Sequence, residues 1–157
     1  MKPSIYKING PTIGSLFQMP KPSGEWLLDD LKFYQSSGMD HIVSLLESEE
    51  AAELGLLREQ EKCDQIGLQF TSFPIPDRKI PDLDSFKPAV TNLVTKLSQG
   101  QSLGIHCRAG IGRSGLLVCC ILKSVGLKTD EAIELASQAR GLKIPDTQIQ
   151  MDFIESY

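Results

Sequence analysis

The sequence predicts an α/β fold: a single domain with a mainly parallel central β-sheet and helices on both faces. Length is the first observation behind this prediction, because 157 residues fit one compact domain. Composition is the second, since 41% hydrophobic and 23% charged residues are typical of globular chains. The third is that short apolar runs alternate with segments of helical period. We therefore assign residues 1–157 to one domain.

The predicted strands are short apolar runs bounded by glycine, proline or polar residues. Their strand length and large apolar side chains are typical of buried parallel strands. The last run, SLGIHC, ends directly before a glycine-rich loop, so we expect a site beyond the carboxyl ends of the strands. The predicted strands are 4–8, 12–17, 41–46, 68–73 and 102–107.

Six segments carry apolar residues at helical spacing. In the first of them, Leu27 and Leu31 share one face. Ser23 is its expected N-cap and Gly38 its expected end. We expect Trp26, in the same segment, to belong to the core rather than to form a substrate platform. The predicted helices are 24–38, 48–67, 85–100, 113–126, 129–141 and 145–157.

Charge and cysteine usage exclude several classes of function. The formal net charge of −4 argues against a nucleic-acid partner. No apolar run has the ~20 residues of a membrane span, and the N-terminus lacks a signal-peptide core. We therefore expect a cytoplasmic monomer with no membrane partner, no metal and no cofactor. The cysteines lack metal-binding spacing and are expected to be free thiols; they are Cys63, Cys107, Cys119 and Cys120.

One loop combines a cysteine with the features of an anion-binding site. It lies between the last strand and a helix that begins near Arg113. Its glycines permit unusual dihedral angles, so that backbone N–H groups can turn inward. The helix N-terminus and the guanidinium fork add positive charge, which suits a tetrahedral phosphoryl group. The expected phosphate-binding residues are Arg108, Ala109, Gly110, Ile111, Gly112 and Arg113.

Cys107 is the expected nucleophile of this loop. The inward N–H groups, the helix N-terminus and the arginine all favour its thiolate, which would attack phosphorus. We expect the Ser114 hydroxyl to donate a hydrogen bond to the sulfur and ease its departure in a second step. His106 precedes the nucleophile on a strand and points to the other face, so we expect a positioning role for it. An ordinary buried cysteine is the weaker alternative.

These residues resemble a known family. The pattern His106-Cys107-x-x-Gly110-x-x-Arg113-Ser114 is similar to the signature loop of the cysteine-based protein tyrosine phosphatases. Chain length and the FPIPD loop place the resemblance in the dual-specificity branch, near the kinase-associated phosphatases and their small bacterial relatives. It runs from about GSLFQMPKP to TQIQMDFI. It implies hydrolysis of phosphotyrosine in a protein or peptide through a phosphocysteine intermediate, with phosphoserine and phosphothreonine as further candidate substrates.

A mobile carboxylic acid is needed to protonate the departing oxygen. Asp77 lies in the proline-rich segment FPIPDRKIPD, 30 residues before Cys107, and its position resembles that of the general acid in the family. Asp82 and Asp84 are competitors. They stand where the next helix needs an N-cap, however, so a structural role explains them well.

Three further residues have an open role. The segment PDTQIQ resembles the glutamine loop of the classical tyrosine phosphatases, and Gln150 matches the second glutamine, which helps to place the hydrolytic water. Asp146 stands where the first would be, and a helix-start acid explains it equally well. Glu47 is a candidate for orienting Arg113 or, equally, a solvated charge at a helix start. Oxidative pairing of Cys107 with another cysteine also stays open.

Two other functions remain as alternatives. The first is a module that binds phosphorylated residues without turnover, against which the cysteine, arginine and aspartate together argue. The second is a phosphatase for non-protein phosphates, such as phosphoinositides or RNA 5′ ends. Lipid-directed members of the superfamily tend to carry lysines inside the loop, and this loop has none.

Overall fold

A central five-stranded sheet organises the chain. The computed structural model describes residues 2–157; Met1, the first residue of the predicted domain, lies outside the described residues. The strand order is β1-β2-β5-β3-β4, with β1 antiparallel to β2 and the other pairs parallel. The mainly parallel sheet predicted from the sequence is therefore confirmed. The strands are β1 (Tyr6–Ile8), β2 (Leu16–Met19), β3 (His41–Ser44), β4 (Gln69–Ser72) and β5 (Leu103–His106).

Helices cover both faces of the sheet, as predicted. One core includes Phe86, Leu116 and Ile154 from helices on the first face. The second core includes Leu31 and Cys63 from helices on the other face. The helices are α1 (Leu27–Ser36), α2 (Ser48–Glu53), α3 (Glu59–Ile66), α4 (Leu83–Ser98), α5 (Arg113–Ser124), α6 (Thr129–Arg140) and α7 (Gln148–Ser156).

Helix α5 is the central element of the first core. Its first ten residues, 113–122, are all buried. It contacts α4, α6 and α7 as well as strands β2 and β5. A helix that is apolar on every side is stable only where other elements surround it. The residues at its N-terminus are therefore held inside the first core.

The single helix predicted over residues 48–67 is wrong, because two helices occupy this segment. The break lies at Gly55, whose φ of 72° is in the left-handed region. Nearby, a Cβ added at Gly24 would lie 2.3 Å from the carbonyl oxygen of Leu54, so the two chain segments touch. A glycine in the left-handed conformation commonly ends a helix, so the helix does not continue through Gly55.

The expectations for Trp26 and Ser23 are also wrong. Trp26 is 60% exposed rather than part of the core. Helix α1 begins at Leu27 with Trp26 at the N-cap, and the Ser23 hydroxyl accepts the Trp26 N–H at 3.2 Å in the turn before it. Within residues 2–157, no helix combines the length and apolar character that crossing a bilayer requires.

Candidate active site

Cys107 follows the last residue of β5, between the ends of β2 and β3. This is the central strand of the sheet, where the carboxyl ends of parallel strands leave room for a ligand. The sulfur lies 3.3 Å from the Ser114 hydroxyl, and the Gly110 N–H donates to it at 3.3 Å. The Gly110 N–H group of the loop therefore points toward the cysteine.

Both loop glycines stand where a side chain would collide. Gly110 has a φ of 73°, and a Cβ there would lie 2.5 Å from the carbonyl carbon of Met19 and from Pro20 N. At Gly112 a Cβ would lie 2.9 Å from Oε1 of Gln150. Contacts below 3 Å between such atoms are repulsive, so the close approach of the β2 backbone requires glycine at position 110, whereas a side chain at position 112 would have to displace Gln150.

Arg113 is the largest fully buried side chain. Its guanidinium donates to Oε1 and Oε2 of Glu50 at 2.6 and 2.9 Å, and to the carbonyl oxygen of Ile75 at 2.9 Å. Burial is the largest single effect and lowers the pKa of Arg113, but the hydrogen bond to Glu50 and the negative charges around the guanidinium together outweigh it, so the pKa is raised. A bidentate partner fixes the plane of the guanidinium, which then presents a defined edge to an anion.

The carboxylate that holds Arg113 is therefore Glu50 and not Glu47. Glu47 is exposed and occupies the N-cap position of α2, the alternative role that the sequence left open for it. The Arg113 hydrogen bond, assisted by charge, lowers the pKa of Glu50. A signal for Glu50 was present in the sequence, since an N3 glutamate reaches back toward the start of its helix; Oε1 accepts the Glu47 N–H at 3.1 Å.

Asp77 lies on the loop between β4 and α4, with its side chain 53% exposed. Its Oδ1 is 3.1 Å from Nη2 of Arg113, so the carboxylate borders the same cavity as the cysteine. Asp82 instead is the N-cap of α4 and accepts the Ser85 N–H at 3.1 Å. The geometry thus brings Asp77 to Arg113 and gives Asp82 a structural contact.

His106 is fully buried and has two polar neighbours. Its Nε2 lies 2.8 Å from Oε2 of Glu59, and its Nδ1 lies 3.2 Å from the carbonyl oxygen of Cys107. The sequence did not point to Glu59, because nothing local marks one acid among the many of segment 48–67. Burial of a carboxylate at this position makes sense only with the histidine beside it.

Gln150 is buried at the start of α7 and lines the cavity. Its Oε1 accepts the N–H groups of Asp146 and Thr147 at 3.3 and 3.2 Å, and its Nε2 donates to the Lys79 carbonyl oxygen at 3.3 Å. The Asp146 carboxylate accepts from Arg78 at 2.7 Å. Both contacts connect the start of α7 to the loop that carries Asp77.

The side chains of Asp77, Cys107 and Arg113 line one cavity of about 160 Å³. Its volume suits a phosphoryl group with part of the group that it esterifies. Among residues 2–157, no group of three or more His, Cys, Asp or Glu side chains is arranged to hold a metal ion. The cavity is lined by Asp77, Arg78, Cys107, Arg108, Ala109, Ile111, Gly112, Arg113, Asp146 and Gln150.

The other three cysteines are buried free thiols away from this cavity. Burial raises the pKa of Cys63 to about 12 and that of Cys119 to about 12. Burial also raises the pKa of Cys120. A thiol with a raised pKa is a poor nucleophile at neutral pH.

Comparison with known proteins identifies the family. The model for "Tc-R-P: Polymorphic toxin system, DSP-PTPase phosphatase" matches residues 19–126. Cyclin-dependent kinase inhibitor 3 of Rattus norvegicus is 26% identical over 130 residues, which are 82% of this chain and 61% of the relative. The chain spans between 53% and 61% of the first two curated relatives.

Solved structures agree in fold. The crystal structure of kinase associated phosphatase with serine at its catalytic-site cysteine has a TM-score of 0.89 and 21% identity, covering 99% of this chain and 94% of that one. Tk-PTP in its active form has a TM-score of 0.76 and 25% identity, covering 99% and 97%. The resemblance carried by the signature loop is confirmed, and the chain belongs to the dual-specificity phosphatase family of the cysteine-based protein tyrosine phosphatases.

Proposed function

We propose that this chain is a protein phosphatase that hydrolyses phosphotyrosine, and more slowly phosphothreonine and phosphoserine, through a phosphocysteine intermediate. One observation carries the proposal: the Cys107 sulfur, the Arg113 guanidinium and the Asp77 carboxylate line a single small cavity. A nucleophile, an anion clamp and a proton donor are the three parts that phosphate monoester hydrolysis needs. Family membership and the catalytic-site cysteine named for kinase associated phosphatase support it.

In the first step, the Cys107 thiolate attacks phosphorus and forms the S–P bond while the bond from phosphorus to the ester oxygen breaks. Arg113 and the N–H groups of residues 108–113 hold the phosphoryl oxygens and offset their charge. Protonated Asp77 gives its proton to the departing oxygen, which leaves as a phenol or alcohol. The loop position of Asp77, half exposed beside Arg113, supports this role.

In the second step, water attacks phosphorus. Asp77, now a carboxylate, takes a proton from that water, and the S–P bond breaks to return the thiolate and release inorganic phosphate. The Ser114 hydroxyl, 3.3 Å from the sulfur, donates a hydrogen bond that stabilises the leaving thiolate. Gln150 places the water from the cavity wall, while His106, held by Glu59, fixes the carbonyl of the nucleophile.

We also propose that residues 1–157 form one catalytic domain that acts as a cytoplasmic monomer on phosphorylated proteins. The net charge of −4 supports a protein rather than a nucleic-acid partner. Neither a metal nor a cofactor has a part in the two steps above, because the arginine and backbone amides supply the positive field.

Turnover measurements with four substrates test the proposal: p-nitrophenyl phosphate, a phosphotyrosine peptide, a phosphothreonine peptide and a soluble phosphoinositide. We expect the aryl phosphate and phosphotyrosine to react fastest, with no loss of rate in EDTA. Cys107→Ser should abolish turnover yet keep phosphate binding, because an alcohol is not ionised here. Cys63→Ala is the matched control, since Cys63 is a buried thiol that does not line the cavity, and it should retain activity.

Each alternative function has its own outcome in this experiment. Preferential hydrolysis of the phosphoinositide would indicate that the substrate is a lipid rather than a protein. Binding of both peptides with no product from any substrate would identify a phospho-residue binding module. Activity of Cys107→Ser within about tenfold of the parent would rule out the phosphocysteine intermediate.

A further inference from the structure

Three successive carbonyl groups of the signature loop are bound on the side away from the cavity. The Arg108 oxygen accepts the Lys21 N–H at 3.1 Å. The Ala109 oxygen accepts from Nη2 of Arg140 at 3.2 Å. The Gly110 oxygen accepts twice, from Nε of Arg140 at 3.1 Å and from Nε2 of Gln18 at 2.9 Å.

These bonds determine where the loop N–H groups point. A trans peptide unit is planar, and its N–H lies opposite its C=O. Fixing the carbonyls of residues 108, 109 and 110 therefore directs the N–H groups of residues 109, 110 and 111 the other way, toward the cavity. The Gly110 N–H does point to the Cys107 sulfur, at 3.3 Å.

Gln18 occupies its position at a structural cost. Its side chain is fully buried, and its Oε1 has no hydrogen-bond partner among residues 2–157. A buried acceptor without a partner destabilises a fold, and an apolar residue of similar shape would avoid that penalty. The amide is thus poorly explained by stability and well explained by its one bond to the loop.

Arg140 is held from outside the loop as well. Its guanidinium lies over the ring of Tyr6, 4.4 Å from the centroid, so the edge strand β1 supports the end of α6. Tyr6, Gln18 and Arg140 all lie outside residues 19–126, which the family match covers. The contacts to the loop therefore come from segments at both ends of the domain.

We propose that Gln18 and Arg140 are positioning residues, which we call the outer clamp, that turn the N–H groups of the signature loop inward for phosphoryl binding and for stabilising the Cys107 thiolate. This inference rests on the proposed function only in that the loop binds a phosphoryl group. Neither residue touches the substrate, because both contact the loop on its outer side.

The test compares Gln18→Leu, Arg140→Lys and the double variant in the full-length chain. Each single variant should lower kcat/KM about fivefold, because the other residue still holds the Gly110 carbonyl. The double variant should lose about a hundredfold, more than the product of the single losses. Arg140→Lys keeps the positive charge in the last turn of α6, so the helix end is preserved.

Two readouts separate positioning from general damage. The inhibition constant of inorganic phosphate should rise with the loss of inward N–H groups. At one fixed neutral pH, iodoacetate should alkylate Cys107 about tenfold more slowly in the double variant, because fewer inward N–H groups stabilise its thiolate. Gln18→Leu should meanwhile melt at the parent temperature or above it, since it removes the unpaired buried oxygen.

Lys123→Met is the matched structural control. Lys123 also donates to two backbone carbonyls, those of Ile154 and Glu155 at 2.8 and 3.3 Å, but it lies in the last turn of α5, at the opposite end of that helix from the signature loop. It should lower the melting temperature and leave the kinetic and alkylation readouts unchanged. The outer clamp is refuted if the double variant stays within twofold of the parent both in the inhibition constant of phosphate and in the rate of Cys107 alkylation.

Failure of the clamp and failure of the proposed function are distinguishable. Two measurements need no turnover: the rate at which iodoacetate alkylates Cys107, and phosphate binding, which is measured by the protection of Cys107 from iodoacetate. If the parent chain turns over no substrate but the double variant loses phosphate binding, the proposed enzymatic function is wrong and the outer clamp is supported. If the parent is active and the double variant is unaffected, the proposed function is supported and the outer clamp is wrong.

Discussion

Glu50 and Arg113 show how one buried pair prepares a site for an anion. Two oxygens of the carboxylate accept from the guanidinium at 2.6 and 2.9 Å, which leaves its remaining edge toward Asp77. Without a partner, a buried guanidinium would lose its hydration without gaining a compensating hydrogen bond or ion pair. The orientation of the Arg113 guanidinium, which binds the phosphoryl group, therefore depends on a carboxylate that does not contact the substrate.

Glu50→Gln should lower kcat/KM by about tenfold to a hundredfold, the worth of a charge-assisted hydrogen bond. The amide offers one acceptor and places a second donor against the guanidinium. Glu47→Gln is the matched control, because that exposed side chain lies in the same helix start. Steady-state kinetics on p-nitrophenyl phosphate decide between them; equal rates for both variants would contradict the assignment of Glu50.

Asp77→Asn should lower kcat by roughly 10²–10⁴, the range for general acid catalysis. The loss should be smaller for p-nitrophenyl phosphate than for phosphothreonine, whose alkoxide leaves poorly without a proton. Inorganic phosphate should bind more tightly, because a competing carboxylate 3.1 Å from Arg113 is gone.

Asp82→Asn is the control for the acid, since asparagine caps the N-terminus of α4 as well as aspartate does. It should keep kcat within about twofold of the parent. A damaged Asp82→Asn, or an Asp77→Asn whose loss is the same for all leaving groups, would transfer the acid role elsewhere.

At the scale of elements, the strand–loop–helix unit of β5 and α5 depends on Gly110. Gly110→Ala should abolish most activity and lower the melting temperature, because the added Cβ would lie 2.5 Å from the β2 backbone. Gly67→Ala is the matched control: its φ of 81° is equally left-handed, but nothing lies within 4 Å. It should cost only the backbone strain of roughly 1–2 kcal/mol in unfolding free energy and leave kcat unchanged.

Strand β3 carries a pH dependence of stability through His41. Burial, with a smaller effect of Lys96, lowers the pKa of His41 to about 4, below its usual 6.5. The unfolded chain therefore binds a proton more readily, so this stabilisation is complete above about pH 6.5 and is lost as pH falls toward 4. Urea unfolding should show up to about 3 kcal/mol less stability at the acid end.

His41→Gln isolates this contribution, because its amide nitrogen can take the place of Nε2, which lies 2.7 Å from the Thr71 hydroxyl. The difference in unfolding free energy between parent and variant should change across this pH window, while carboxylate titrations common to both cancel. A constant difference from about pH 7 to about pH 4.5 would exclude His41 as the source.

Local pattern predicted the elements well and their long-range contacts poorly. The start of α5 at Arg113 agrees with the sequence prediction, and β5 ends at His106, one residue before the predicted end, because a glycine-rich loop separates the two elements. The break at Gly55 was missed, since the acids and leucines around it keep helical spacing. The partners Glu50 and Glu59 were missed for a related reason: which acid reaches a buried base depends on where each short helix starts.

At the scale of the whole molecule, hydrogen exchange should divide the active site into two parts. Amides of residues 116–122 lie in a fully buried helix and should exchange only through global unfolding. Amides of residues 77–79 lie in an exposed loop and should exchange through local opening, orders of magnitude faster. Exchange measured by mass spectrometry under native conditions checks this division; similar protection in both segments would contradict it.

The cysteine loop is attached to buried α5, whereas Asp77 lies on an exposed loop. This difference has a consequence for inhibitors. A small oxyanion that fills only the cavity meets groups already fixed by the core, so its binding should carry little entropic penalty. A larger compound that also engages Asp77 has to order the loop, which costs roughly 1–2 kcal/mol of entropy per fixed residue. Added contacts on that side should therefore improve binding enthalpy more than affinity.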